Sequence, residues 1–156
     1  MRCNVGINPK YLADQHLIAE YRELPMVVGS LRLYDMEIKS PIPEKFNLGT
    51  GHMNFLKNKL VYLKRRHEQV IVEMRIRKFA CDNVKFVMDD VPNKYKNDWN
   101  PTIEDSMILR RRITEKLINR FKKSPTFWKF NRKTLSEDEL YDDVIFNTFN
   151  GELFPV

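Results

Sequence analysis

The chain has 156 residues, 42% of them hydrophobic and 31% charged, enough to bury one core but too few for two full-sized domains. Cys3 and Cys81 stand alone, with no CxxC or HxxxH pattern, which excludes a disulfide framework or a zinc module. No run of about eighteen apolar residues predicts a membrane span, and no basic-then-apolar start reads as a secretion signal. The net charge of +6 is unevenly spread: residues 134–156 hold six of the 21 acids and no Lys or Arg, leaving all 27 basic groups in residues 1–133 against 15 acids. That asymmetry favours a polyanionic partner, either nucleic acid or an anionic membrane surface, although a merely soluble basic surface has the same composition.

Along the chain, Asn8 as N-cap and Pro9 at the first helical position predict a helix running to a stop near Pro25. Leu17, Tyr21, Leu24 and, if the helix resumes past Pro25, Val28 form its apolar stripe, with His16, Glu20 and Glu23 on the neighbouring stripe. Residues 34–52, with Pro41, Pro43, Gly49 and Gly51, read as a loop. A long helix is expected from about His52 to about Lys78, with Leu56, Leu60, Leu63, His67, Val70 and Met74 in one register and Lys57, Lys64, Arg65 and Arg75 turned elsewhere. After an irregular stretch from Asp89 to Pro101, Thr102 and Asp105 mark the start of another helix. It is expected to carry Ile113, Leu117 and Phe121 inward and Arg110, Arg112, Lys116 and Arg120 outward. No alternating strand stands out. The predicted fold is all-α, a compact single-domain bundle of about three main helices with long irregular connections. Residues 1–133 are read as the domain and 134–156 as an acidic C-terminal extension.

No phosphate-cradling glycine loop, zinc pattern or nucleophile elbow is present. Read alone, His16 is a structural histidine and Glu20 and Glu23 are solvated helix acids. The segment SPTFWKFNRK at 124–133 suits both sealing the core and stacking on bases beside phosphate-binding Lys129, Arg132 and Lys133.

The residues ADQHLIAEYRELP at 13–25 resemble the pyrimidine-dimer DNA glycosylases with abasic-site lyase activity, of the phage endonuclease V type. The resemblance continues in GTGHMNFLKNKLVYLKRR at 49–66, RITEKL at 112–117 and PTFWKF at 125–130. It implies a compact all-helical monomer in a bacterial or phage-infected cytoplasm, which binds double-stranded DNA, uses no metal or organic cofactor and needs no membrane. It also implies attack on C1′ of a damaged nucleoside by an N-terminal α-amine, whose reference pKa of about 8 leaves an appreciable neutral fraction. Carried over by position, Glu23 is the catalytic carboxylate, and Arg22 contacts DNA. His16 is close to the active site, Arg112 and Lys116 hold phosphates, and Phe127, Trp128, Lys129 and Phe130 lie near the DNA. The family opening Met-Thr-Arg-x-Asn aligns here through Arg2 and Asn4, which puts Met1 in the nucleophile's place. Its retention is expected because Arg2 is too large for ordinary methionine removal. Met26 replaces a family arginine, which bears on dimer specificity more than on lyase chemistry. Two other readings fit part of the pattern: a non-catalytic DNA-binding descendant of the same fold, and an RNA-directed or membrane-surface protein using only the basic face.

Overall fold

The computed structural model describes residues 2–155. The fold is all-α: α1 (Asp14–Glu23), α2 (Met26–Arg32), α3 (Thr50–Leu56), α4 (Leu60–Ile76), α5 (Ile103–Lys123), α6 (Glu137–Glu139) and α7 (Phe146–Asn150), with a π-helical turn over Leu140–Ile145 between the last two. The only sheet among the described residues is a hairpin of β1 (Lys129–Phe130) and β2 (Lys133–Thr134). The absence of strands expected from the sequence is corrected to that extent. Phe130 pairs with Lys133 around Asn131 and Arg132, both at positive φ (49° and 70°), the geometry of a two-residue type I′ turn.

The apolar stripe of α1 is buried as its spacing predicts, with Leu17, Tyr21 and the C-cap Leu24, joined by Val28 of α2, in the core with Leu60, Leu63, Val70 and Met74 of α4. Two boundaries differ. Asn8 and Pro9 start only a 3₁₀ turn (Pro9–Tyr11), with the Asn8 side chain accepting from Lys10 N–H; α1 begins three residues after that turn. The long helix is broken at residues 57–59 although no glycine or proline lies there. The cause is tertiary: Lys59 bridges Lys96, Val61 N–H donates to Asn97 O at 3.2 Å, and Asn97 Nδ2–H donates to Asn58 O at 2.9 Å. Lys57, expected to turn outward, is buried, with Nζ 5.8 Å from the Tyr34 ring centre. The Thr102–Asp105 capping box does open α5, where Ile113 and Leu117 are buried.

Residues 3–13 make one largely buried but irregular run, and a buried irregular backbone must find partners for its carbonyls. Three buried arginines supply them. Arg66 donates to Ile7 O (2.7 Å), and Arg77 to Pro9 O (3.2 Å), Lys10 O (3.0 Å) and Leu12 O (2.7 Å). Arg110 donates to Gly6 O (3.2 Å), so its expected outward orientation is corrected. The C-terminal residues join the same core through Leu140 and Val144. No helix among the described residues is long and apolar enough to cross a membrane.

Candidate active site

Glu20 anchors the site without facing it. Fully buried on α1, it takes a bidentate pair from Arg66 of α4 (Nε to Oε1 2.9 Å, Nη2 to Oε2 3.0 Å). Its two oxygens also accept from Asn4 N–H and Asn4 Nδ2–H, each at 2.7 Å. Four charge-assisted bonds on one carboxylate fix the chain at Asn4. Glu20 is therefore not the solvated helix acid that the sequence alone suggests.

With Asn4 fixed, Arg2 and Cys3 lie along a cleft of about 240 Å³ between α1, the loop before α3, and α5. Its walls bring together Arg2, Asn4, His16, Glu23, His52, Arg112 and Lys116. Glu23 lies one turn beyond Glu20 and is half-buried, its Oε1 3.8 Å from Arg2 Nε. Three cations, Arg2, Arg112 and Lys116, therefore share the cleft with one carboxylate. Lys116 is pushed below the usual lysine range by desolvation and by the charges of Arg112 and Arg2, against the pull of Glu23.

The two histidines of the cleft are neutral at physiological pH. Burial, reinforced by the positive charges of Arg2 and Lys116, lowers His16 to about 3. His52 is lowered chiefly by burial, and its Nδ1–H donates to Asn47 O at 3.3 Å, leaving Nε2 as the lone-pair nitrogen. His16 rests on the Trp128 ring at 4.8 Å between centroids, and Nδ1 has no hydrogen-bond partner among the described residues.

The remaining residues named from the sequence lie around this cleft. Met1 lies outside the described residues. Arg22 is exposed on α1, next to Glu23, and Lys129 is exposed on the hairpin. Trp128 is buried, its Nε1–H donating to Leu117 O at 2.9 Å. Phe127 and Phe130 are half-buried, one with the Arg120 guanidinium 4.1 Å from its ring centre and the other with Arg77 at 4.5 Å. Gln15 ties this segment to α1, donating to Phe127 O and accepting from Lys129 N–H at 3.1 Å. Sequence reasoning missed Asn4 as a wall residue, His52 as a neutral histidine and the Glu20–Arg66 anchor. His52 sits in the GTGH motif, but nothing in the sequence pairs residues 20 and 66. Among the described residues no three His, Cys, Asp or Glu side chains gather as a metal ion requires.

A family model described as pyrimidine dimer DNA glycosylase matches residues 2–86. The chain belongs to that family. Membership in the pyrimidine dimer DNA glycosylases carries a DNA-repair glycosylase role and DNA as substrate. The match takes in Arg2, Asn4, His16, Glu20, Glu23, His52 and Arg66, the N-terminal strand and one wall of the cleft. The α5 wall, with Arg112 and Lys116, and the aromatic hairpin lie beyond it.

Proposed function

We propose that this pyrimidine dimer glycosylase is also an abasic-site lyase, working through a Schiff base on the α-amine of Met1 with Glu23 as its carboxylate. The observation that carries the reading is the anchoring of Asn4, which runs Arg2 along the cleft to within 3.8 Å of Glu23. Met1 directly precedes Arg2 in the sequence, and the family resemblance makes its α-amine the nucleophile.

In the first half-reaction the amine lone pair attacks C1′, and the C1′–N bond to the pyrimidine breaks with its electrons going to the base, which takes up a proton. The amine loses a proton, the C1′–O4′ bond opens with protonation of O4′, and an iminium links C1′ to the terminal nitrogen. Glu23 stabilises the positive charge that develops at the sugar and nitrogen. In the second half it accepts the C2′ proton, and the C3′–O bond breaks to expel the phosphate. Water then hydrolyses the imine. Histidines held neutral beside this carboxylate add no charge to compete with the cationic sugar.

Arg2, Arg22, Arg112, Lys116 and Lys129 are assigned to phosphates of the kinked duplex, and Phe127 and Phe130 to the adjacent sugar–base surface. Trp128 acts by supporting His16 from behind, since its ring edge and indole N–H are already engaged. The protein acts as a monomer on duplex DNA. Extruding a nucleotide costs a few kcal/mol, least where pairing is already impaired, which favours a dimer as the target.

Duplexes carrying a thymine dimer, an abasic site or no lesion, each incubated with protein and borohydride, test the reading. Covalent adducts with the first two and none with the third are expected. Base release without adducts would leave a simple glycosylase, and binding without either product would leave a non-catalytic DNA-binding protein.

A further inference from the structure

We infer that residues 146–155 form a positioning strap that holds the N-terminal strand in register for catalysis through Arg110. This rests on the reading of the N-terminal amine as nucleophile. Arg110 of α5 is buried, yet every acceptor it meets among the described residues is neutral. Nε–H donates to Ser106 Oγ (2.8 Å). Nη1–H donates to Phe149 O (3.0 Å) and to Gly151 O, and Nη2–H to Glu152 O (2.9 Å) and Gly6 O (3.2 Å). Burial of a guanidinium without a carboxylate is costly, so packing alone does not account for an arginine here. Its planar fork does what an aliphatic side chain cannot, joining the carbonyls of the chain's two ends through one rigid group.

The C-terminal segment also holds the N-terminal run directly. Phe154 N–H donates to the same Gly6 carbonyl at 3.0 Å, and Thr148 Oγ–H donates to Tyr11 O at 3.3 Å. Gly6 has φ +66°, and an added Cβ would lie 2.5 Å from Leu153 Cδ1 and 2.8 Å from Ser106 Cβ, so the strap leaves no room for a side chain. Gly6 is two residues from Asn4 and four from Arg2. Glu20 and Arg66 therefore hold the strand from the α1–α4 side while Arg110 and the C-terminal segment hold it from the α5 side. Residues two apart on a helix point about 200° apart, so Arg110 faces away from Arg112 and the strap works from behind α5 without covering the cleft.

The test uses full-length protein with Arg110→Met and Phe154→Pro. The proline change removes the second donor to Gly6 O together with the half-buried Phe154 ring, and it decides the matter should Arg110→Met fail to fold. Single-turnover borohydride trapping is measured at saturating abasic duplex, and affinity is measured on a duplex with a non-reactive tetrahydrofuran site. A displacement of about 1 Å at the nucleophile costs on the order of 100-fold in rate. The expected losses are about tenfold for Phe154→Pro and about 100-fold for Arg110→Met, with affinity within about twofold of wild type. Trapping rates within about twofold of wild type in folded variants, or a loss confined to affinity, overturn the inference. A wild-type protein that forms no adduct at its N-terminus overturns the nucleophile assignment instead, and the inference with it.

Discussion

Glu20→Gln preserves size and most hydrogen-bond geometry while removing the only carboxylate, among the described residues, that meets the fully buried Arg66 guanidinium. Four bonds of 2.7–3.0 Å converge on that group, two from Arg66 and two from Asn4. Breaking one side of a buried pair leaves an uncompensated charge out of water and costs about 3–5 kcal/mol, a large share of the roughly 5–15 kcal/mol of a whole domain. For a chain of this size that is a fall in melting temperature on the order of 10 °C. Urea unfolding followed by far-ultraviolet circular dichroism measures the cost. Arg66→Met alone should destabilise by a similar amount, and the double variant Glu20→Leu/Arg66→Met by less than the sum of Glu20→Leu and Arg66→Met, because neither charge is then stranded. The double variant still orphans Asn4 N–H and Ile7 O, so recovery is incomplete. The pair Arg32–Asp90 has similar distances but lies in solvent, and Arg32→Ala should leave the midpoint unchanged. Glu20→Gln costing under about 1 kcal/mol, or the two single losses adding fully in the double, would refute the anchor.

Acid should destabilise the fold through His16 as pH falls below 6.5. His16 at about 3 when folded against 6.5 when unfolded gives stabilisation that is complete above pH 6.5 and lost as pH falls toward 3, on the order of 3 kcal/mol at pH 4.5. His16→Leu should flatten that slope in urea titrations between pH 7 and 4.5; an unchanged slope would mean that His16 is not held neutral. Arg112→Glu with Lys116→Glu should weaken duplex binding and reduce the slope of log K against log salt by about 2, at about 0.9 for each phosphate no longer neutralised, and an unaltered slope would remove both from the DNA interface. Trp128→Phe removes the indole donor from Leu117 O, which keeps its helical partner, and should cost about 0.5–1.5 kcal/mol for that bond while changing DNA affinity less than about tenfold. A larger fall in affinity with little effect on stability would make Trp128 a direct base-stacking residue.

The features legible in the sequence were those with a local cause. The stripe of α1 follows from helical spacing, and the start of α5 from the reach of Thr102 and Asp105 to each other's backbone. Asn8 and Pro9 signal a real helical turn, but its length is set by packing of the following irregular residues, for which the sequence carries no mark. The break at residues 57–59 depends on Lys96 and Asn97, almost forty residues away. The buried arginines were the least legible. Arg110 and Arg112 are the same residue type two positions apart, and only the location of unsatisfied carbonyls, a property of the assembled fold, decides which turns inward. Glu20 and Glu23 present the same ambiguity: one belongs to the core and one to the cleft, and what separates them is Arg66 across the α1–α4 interface. On the site itself, Glu23, His16, Arg112 and Lys116 came from motif resemblance, and the fold brings them into one cleft.

The central claim is that the attacking nitrogen is the α-amine of Met1, with Glu23 as the carboxylate that assists it. Lys116 is the natural rival, an amine in the same cleft held below the usual lysine range. Peptide mapping of the borohydride-reduced complex with abasic duplex separates them by the mass of one peptide. The account predicts the sugar on the N-terminal peptide, abolished by acetylation of the α-amine and reduced by orders of magnitude in Glu23→Gln while duplex binding survives. The sugar on the peptide that carries Lys116, or an adduct that persists after acetylation of the N-terminus, would contradict it.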